Sequence, residues 1–91
     1  MKYTKTDIKR TAQTALYNYI GIEPKLSQIT LLESSDDRTY ILFRIAGIEY
    51  RFFSYICDRY TDERGYHECV WCGDGTVERL GRRMSNGLLR P

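Results

Sequence analysis

Every cysteine in the chain and its single histidine fall between residues 57 and 72, and no other feature limits the fold so tightly. The order is Cys57, nine residues, His67, one residue, Cys69, two residues, Cys72. Structural zinc takes four nitrogen or sulfur ligands tetrahedrally, and two cysteines separated by two residues can close on one ion from a tight knuckle. Cys69-Val70-Trp71-Cys72 supplies such a pair, and Gly73-Asp74-Gly75 after it suits the positive φ and close backbone approach that a knuckle needs. With residues 66–70 extended, His67 and Cys69 project to one face, because strand side chains alternate. Cys57, arriving from the end of a preceding strand, completes an expected Cys3His site for structural Zn2+. Two alternatives stay open. Free cysteine is a common small core residue, and three cysteines can also make one disulfide and a spare thiol, with a Cys69–Cys72 bridge strained or redox-active.

Size argues for a staple. A single domain of 91 residues buries too little surface for a wide stability margin, which a metal clasp would extend. No apolar run is long enough to span a membrane. The amino-terminal stretch is polar and has no signal-peptide apolar region, so the expectation is a cytoplasmic protein, where thiols stay reduced and free for metal.

Net charge is only +2, but it is unevenly spread. Residues 1–32 carry five basic and two acidic side chains, and residues 79–91 carry four arginines and no acid. Residues 33–78 hold ten acids against five arginines, so the reading is an acidic body with basic ends, or else a solvated mixed surface.

The periodicity predicts an α+β fold, with an amino-terminal helix packed on a small antiparallel sheet of three to four strands. Ile8, Ala12, Ala15, Leu16, Tyr19 and Ile20 recur at spacings of three and four, which predicts a helix over 4–20 with one buried stripe. Thr4 and Asp7 form a candidate capping box, Gly21 a candidate C-cap, and Pro24 blocks continuation. A first strand is expected over 28–32. Residues 40–45 and 48–55, joined by Ala46-Gly47, read as a hairpin: Ile45 faces Ile48, Phe43 faces Tyr50, Ile41 faces Phe52, and Arg44 opposes Glu49 on the other face. Residues 55–66 read as a charged loop and 66–71 as a returning fourth strand. Residues 76–80 fit a short strand or a helical turn, and 81–91 have the look of a mobile basic tail within one domain over 1–91.

Catalysis is not expected. The lone histidine is better used as a ligand than as a general base, and four protein ligands leave zinc no open position. His67-Glu68 beside Cys69 and Cys72 departs from the zinc-deaminase pattern, where glutamate stands two residues after histidine. Gly73-Asp74-Gly75 lacks the Lys-Ser/Thr continuation of a phosphate loop. Binding is the expected job, because eight tyrosines, three phenylalanines and a tryptophan exceed what a small core needs. The expected contact residues are Asp58, Asp62, Glu63 and Glu68 with Tyr60, Tyr66 and Trp71.

With Cys57, His67, Cys69 and Cys72, the acidic middle and the tyrosine richness together, the chain resembles the small anti-CRISPR proteins of phages and prophages. In particular it looks like a zinc-containing inhibitor of the type II CRISPR nuclease. The resemblance implies a non-enzymatic inhibitor in the host bacterial cytosol that binds the effector and prevents target-DNA loading or cleavage. Such a nuclease holds nucleic acid in positively charged channels, for which an acidic surface is a counterpart. The slight overall basicity departs from full DNA mimicry and favours binding at one lobe. The rival is a nucleic-acid-binding zinc module, a small phage regulatory protein. In it Arg79, Arg82, Arg83 and Arg90 with Lys2, Lys5, Lys9 and Arg10 would contact phosphates, and exposed tyrosine or Trp71 would stack on bases.

Overall fold

Ile8, Ala12, Ala15 and Leu16 stand one above another on a helix, and burying that stripe decides where the sheet must lie. A computed structural model describes residues 3–73, 75–83 and 89–90, with only the backbone of 81–83 and 89–90. Helix α1 (Lys5–Ile20) starts at Thr4, whose Oγ1 accepts from the Asp7 amide at 3.1 Å while Asp7 Oδ2 accepts from the Thr4 amide at 3.0 Å. It stops at Gly21, which takes the left-handed conformation at φ 79°. Both caps agree with the expectation.

The main sheet is antiparallel, with β1 (Thr30–Ser34), β2 (Tyr40–Ile45), β3 (Ile48–Phe53), β7 (Thr76–Arg83) and β6 (Val70–Trp71) side by side. β8 (Leu89–Arg90) pairs with the far end of β7. A separate two-stranded hairpin, β4 (Arg59–Asp62) and β5 (Gly65–Glu68), completes the α+β fold. The β2–β3 register is the expected one at every pair, including Arg44 with Glu49. Ala46 (φ 52°) and Gly47 (φ 79°) are both left-handed, so the two-residue loop is a primed turn that matches strand twist.

Other expectations shift. The first strand begins at Thr30 rather than at 28, because a 3-10 turn over Leu26–Gln28 is held by the Gln28 side chain accepting from the Lys25 amide. Residues 76–80 are strand, and central strand at that, since β7 lies between β3 and β6. Of the expected tail, Gly81 to Arg83 extend β7 and Leu89–Arg90 pair back on it, while 84–88 and 91 lie outside the described residues.

One sheet face takes the helix. Ile41, Phe43, Tyr50, Phe52 and Val77 pack with the α1 stripe and Ile29 into the core. The other face carries Leu42, Arg51, Phe53 and Glu78, all buried, and the β4–β5 hairpin lies over it through Tyr60 and His67. Among the described residues no helix is long and apolar enough to cross a membrane.

Candidate functional site

Alternation along β3 sends Tyr50 and Phe52 to the helix and Arg51 to the opposite face, where its direct cross-strand partner on β7 is Glu78. The same rule in the hairpin pairs Tyr60 with His67 and puts Asp62 on the Tyr60 side. Two cross-strand pairs therefore meet face to face, one from the sheet and one from the hairpin.

Their polar atoms close into a network. Arg51 donates through NH1 to the Tyr60 hydroxyl and to Asp62 Oδ2 (3.3 Å), and Tyr60 donates to Glu78 Oε1. His67 sits between two acids, with Nδ1 on Glu78 Oε2 and Nε2 at 2.8 Å from Asp62 Oδ1. An ionised carboxylate only accepts, so a ring nitrogen that meets one does so as a donor. The His67 ring stacks on Tyr60 with centroids 4.5 Å apart and planes 13° apart, and Phe53 meets Tyr60 edge-on at 5.6 Å.

The electrostatics follow from this packing. Burial alone would raise the Asp62 carboxyl, but hydrogen bonds from His67, the Arg64 amide and Arg51 reverse that and hold it at about 2, below its ordinary 3.8. Burial and the hydrogen bond to Glu78 push the Tyr60 hydroxyl far above the usual phenol range. Burial opposes the Arg51 charge, yet Tyr40, Tyr60 and Asp62 outweigh it and keep the guanidinium protonated.

The expected metal ligands are divided. Cys57 and Cys69 lie together at the open end of the hairpin, where the Cys69 amide donates to the Asp58 carbonyl at 2.9 Å and the two thiols are in hydrogen-bond contact. Burial, Glu78 and Cys57 push the Cys69 thiol up to about 12, so it is protonated at neutral pH. His67 has both nitrogens on carboxylates, and Cys72 packs against the helix-side core. Among the described residues no three His, Cys, Asp or Glu side chains converge in a way that would hold a metal ion. Cys72 thus stands apart from Cys57 and Cys69, and the reason is local. Val70–Trp71 is a strand paired to Val77 and Thr76, not a knuckle, so Cys69 and Cys72 stand at its two ends. Residues three apart along a strand point to opposite faces. The turn after it is built by the Cys72 amide donating to the Gly75 carbonyl at 2.8 Å; Asp74 lies outside the described residues.

The expected contact residues divide as well. Asp58, Glu63, Glu68, Tyr66 and Trp71 are exposed, whereas Tyr60 and Asp62 belong to the buried network. Arg51 and Glu78 escaped the sequence reading. Their signal was that Tyr40, Leu42 and Phe53 give the Arg44–Glu49 face of the β2–β3 hairpin apolar residues too, which calls for a cover. Of the basic residues proposed for phosphate contact, Lys2 and the side chains of Arg82, Arg83 and Arg90 lie outside the described residues. No family model, curated protein or solved structure matches the chain.

Proposed function

We propose that this chain is a non-enzymatic protein-binding module whose contact surface is built by residues 55–71, and that its partner is the type II CRISPR effector nuclease. The observation that carries the reading is a concentration of exposed apolar side chains. Tyr55, Ile56, Tyr66, Val70 and Trp71 are between 49% and 71% exposed. Thr76 ties together the segments that carry four of them: its hydroxyl donates to the Tyr55 carbonyl (2.6 Å) and accepts from the Cys57 amide (3.2 Å), while the Val70–Trp71 strand pairs with Val77 and Thr76. Exposed apolar side chains concentrated in one segment point to an interaction site, and aromatic residues dominate the energetics of such sites.

Charge gives this surface a pattern rather than a single sign. Asp58, Glu63 and Glu68 are exposed beside Arg59 and Arg64, and Arg59 stands directly across from Glu68. The apolar anchors supply contact and the acids orient it toward a basic partner surface. The buried network beneath serves the same end, because it fixes the hairpin that presents Tyr66.

The test is a plasmid-cleavage assay with a guide-loaded type II effector, coupled to size-exclusion analysis of the mixture. Cleavage should fall as the protein is added in stoichiometric amounts, with a stable complex formed. Trp71→Ala or Tyr66→Ala should weaken that complex by about tenfold or more, the usual effect at an aromatic hot spot. Undiminished cleavage with no complex overturns the CRISPR partner. Salt-sensitive binding of DNA or RNA by the protein alone, unaffected by Trp71→Ala, overturns the protein-binding surface in favour of a nucleic-acid module.

A further inference from the structure

Cys57 and Cys69 stand where the β4–β5 hairpin leaves and rejoins the rest of the fold. The entry is pinned at Cys57, whose amide donates to the Thr76 hydroxyl of β7 at 3.2 Å. The exit runs from Cys69 directly into β6, which pairs with β7 through Val70 and Trp71. Both ends of the hairpin are thus anchored on one strand, and a cysteine sits at each anchor.

The two sulfurs meet because the backbone bends at Asp58. The hairpin register pairs Arg59 with Glu68, and the Cys69 amide donating to the Asp58 carbonyl (2.9 Å) extends the ladder by one step. Were the ladder to run on, Cys57 would oppose Val70 and its side chain would point to the face away from Cys69. The bend turns it back. Cys57 Sγ donates to the Arg59 carbonyl at 3.8 Å and is in hydrogen-bond contact with the Cys69 thiol.

Both residues are only partly buried. Thiols in mutual contact approach the geometry of a disulfide by side-chain rotation. Cys72 takes no part, since it packs against the helix-side core and its thiol donates to the Val70 carbonyl at 3.5 Å.

We infer that Cys57 and Cys69 are an oxidation site that closes reversibly into a disulfide across the base of the hairpin, with a low-molecular-weight disulfide as oxidant. Cys57, as thiolate, attacks one sulfur of the oxidant: a bond forms between them, the oxidant's own S–S bond breaks, and the first small thiol leaves with the Cys57 proton. The Cys69 sulfur then attacks the Cys57 sulfur of this mixed disulfide and expels the second small thiol, which takes the Cys69 proton. Two electrons pass from the cysteines to the oxidant. The bond closes a ring over residues 57–69, which restricts the opened hairpin more than the docked one and so locks it on the sheet. In a reducing compartment such a bond is transient and reports oxidation. The inference goes beyond partner binding and does not depend on which partner the surface meets.

The experiment incubates the dilute, reduced full chain with oxidised glutathione in the presence of a chelator. Free thiols should fall from three to one per chain, the product staying monomeric. Peptide mapping after alkylation of the remaining thiol should place the link between Cys57 and Cys69. Amide exchange of residues 59–68 should slow by about tenfold or more, reverting with dithiothreitol. Cys72→Ala should oxidise as the parent does, whereas Cys57→Ala and Cys69→Ala should stop at the glutathione adduct. The mapping uses the parent chain, so it decides even where a variant does not fold. A link to Cys72, a parent chain that keeps all its thiols or stops at the adduct, or hairpin exchange unchanged by oxidation overturns the inference.

Discussion

At the scale of the residue, two positions make sharp demands. Gly75 joins β6 to β7 so closely that an added Cβ would stand 2.3 Å from the Phe52 ring and 2.6 Å from the Phe53 carbonyl oxygen. Gly75→Ala should therefore cost about 2 to 3 kcal/mol, the upper range for overpacking, because one of the two clashing atoms is backbone. Chemical denaturation of the purified variant measures it. Asp62 makes the second demand. Its carboxyl titrates at about 2 in the folded protein against an ordinary 3.8. A depressed folded value means stability that is complete above about 3.8 and is lost as pH falls from there through about 2. The urea midpoint should drop over that window in the parent chain, and Asp62→Asn should start lower at neutral pH and show a flatter acid dependence.

At the scale of the element, the β4–β5 hairpin differs from the rest in how it is held. The main sheet and α1 are joined by apolar burial, whereas the hairpin is joined to the sheet by hydrogen bonds and ion pairs around Arg51 and Glu78 and by the Phe53–Tyr60 ring contact. Such a unit opens locally before the whole chain unfolds. Amide exchange should be faster by about tenfold or more for residues 59–68 than for 41–43 and 50–52, and Glu78→Gln should widen that gap by removing the carboxylate that Tyr60, His67 and Arg51 meet. Legibility divides along the same line. The helix with both caps and the β2–β3 register could be read from Thr4, Asp7, Gly21 and the alternation of Ile41, Phe43, Tyr50 and Phe52, because local spacing alone decides them. The hairpin could not. Asp58, Arg59, Asp62, Glu63 and Arg64 look like solvated loop, and only the partners Arg51 and Glu78, distant in sequence, turn Tyr60, Asp62 and His67 inward. Cys69 and Cys72 stand apart for a related reason, since Val70–Trp71 is straightened by pairing with β7.

At the scale of the whole molecule, one sheet is covered on both faces by unlike means, an apolar helix on one and a polar hairpin on the other. Both covers bury surface that a short chain needs to bury. Cys72 packs against the helix-side core, and Cys72→Ser should cost about 1 kcal/mol, an ordinary value for a partly buried substitution. A chelator should leave the melting temperature of the reduced protein unchanged. A large chelator-induced fall, mimicked by Cys72→Ser, would show that the four ligands do come together on an ion.

The position of β7 has a consequence for how the protein is made. The strand that borders β3 on its inner side, and that supplies Val77 to one face and Glu78 to the other, is translated after α1 and the six strands before it. Until Thr76 and its successors leave the ribosome, Arg51 lacks Glu78, one of its two acidic partners, and β3 exposes unpaired amides and carbonyls to any neighbouring chain. Nascent and prematurely terminated products thus pass through a sticky interval that only the arrival of β7 can end.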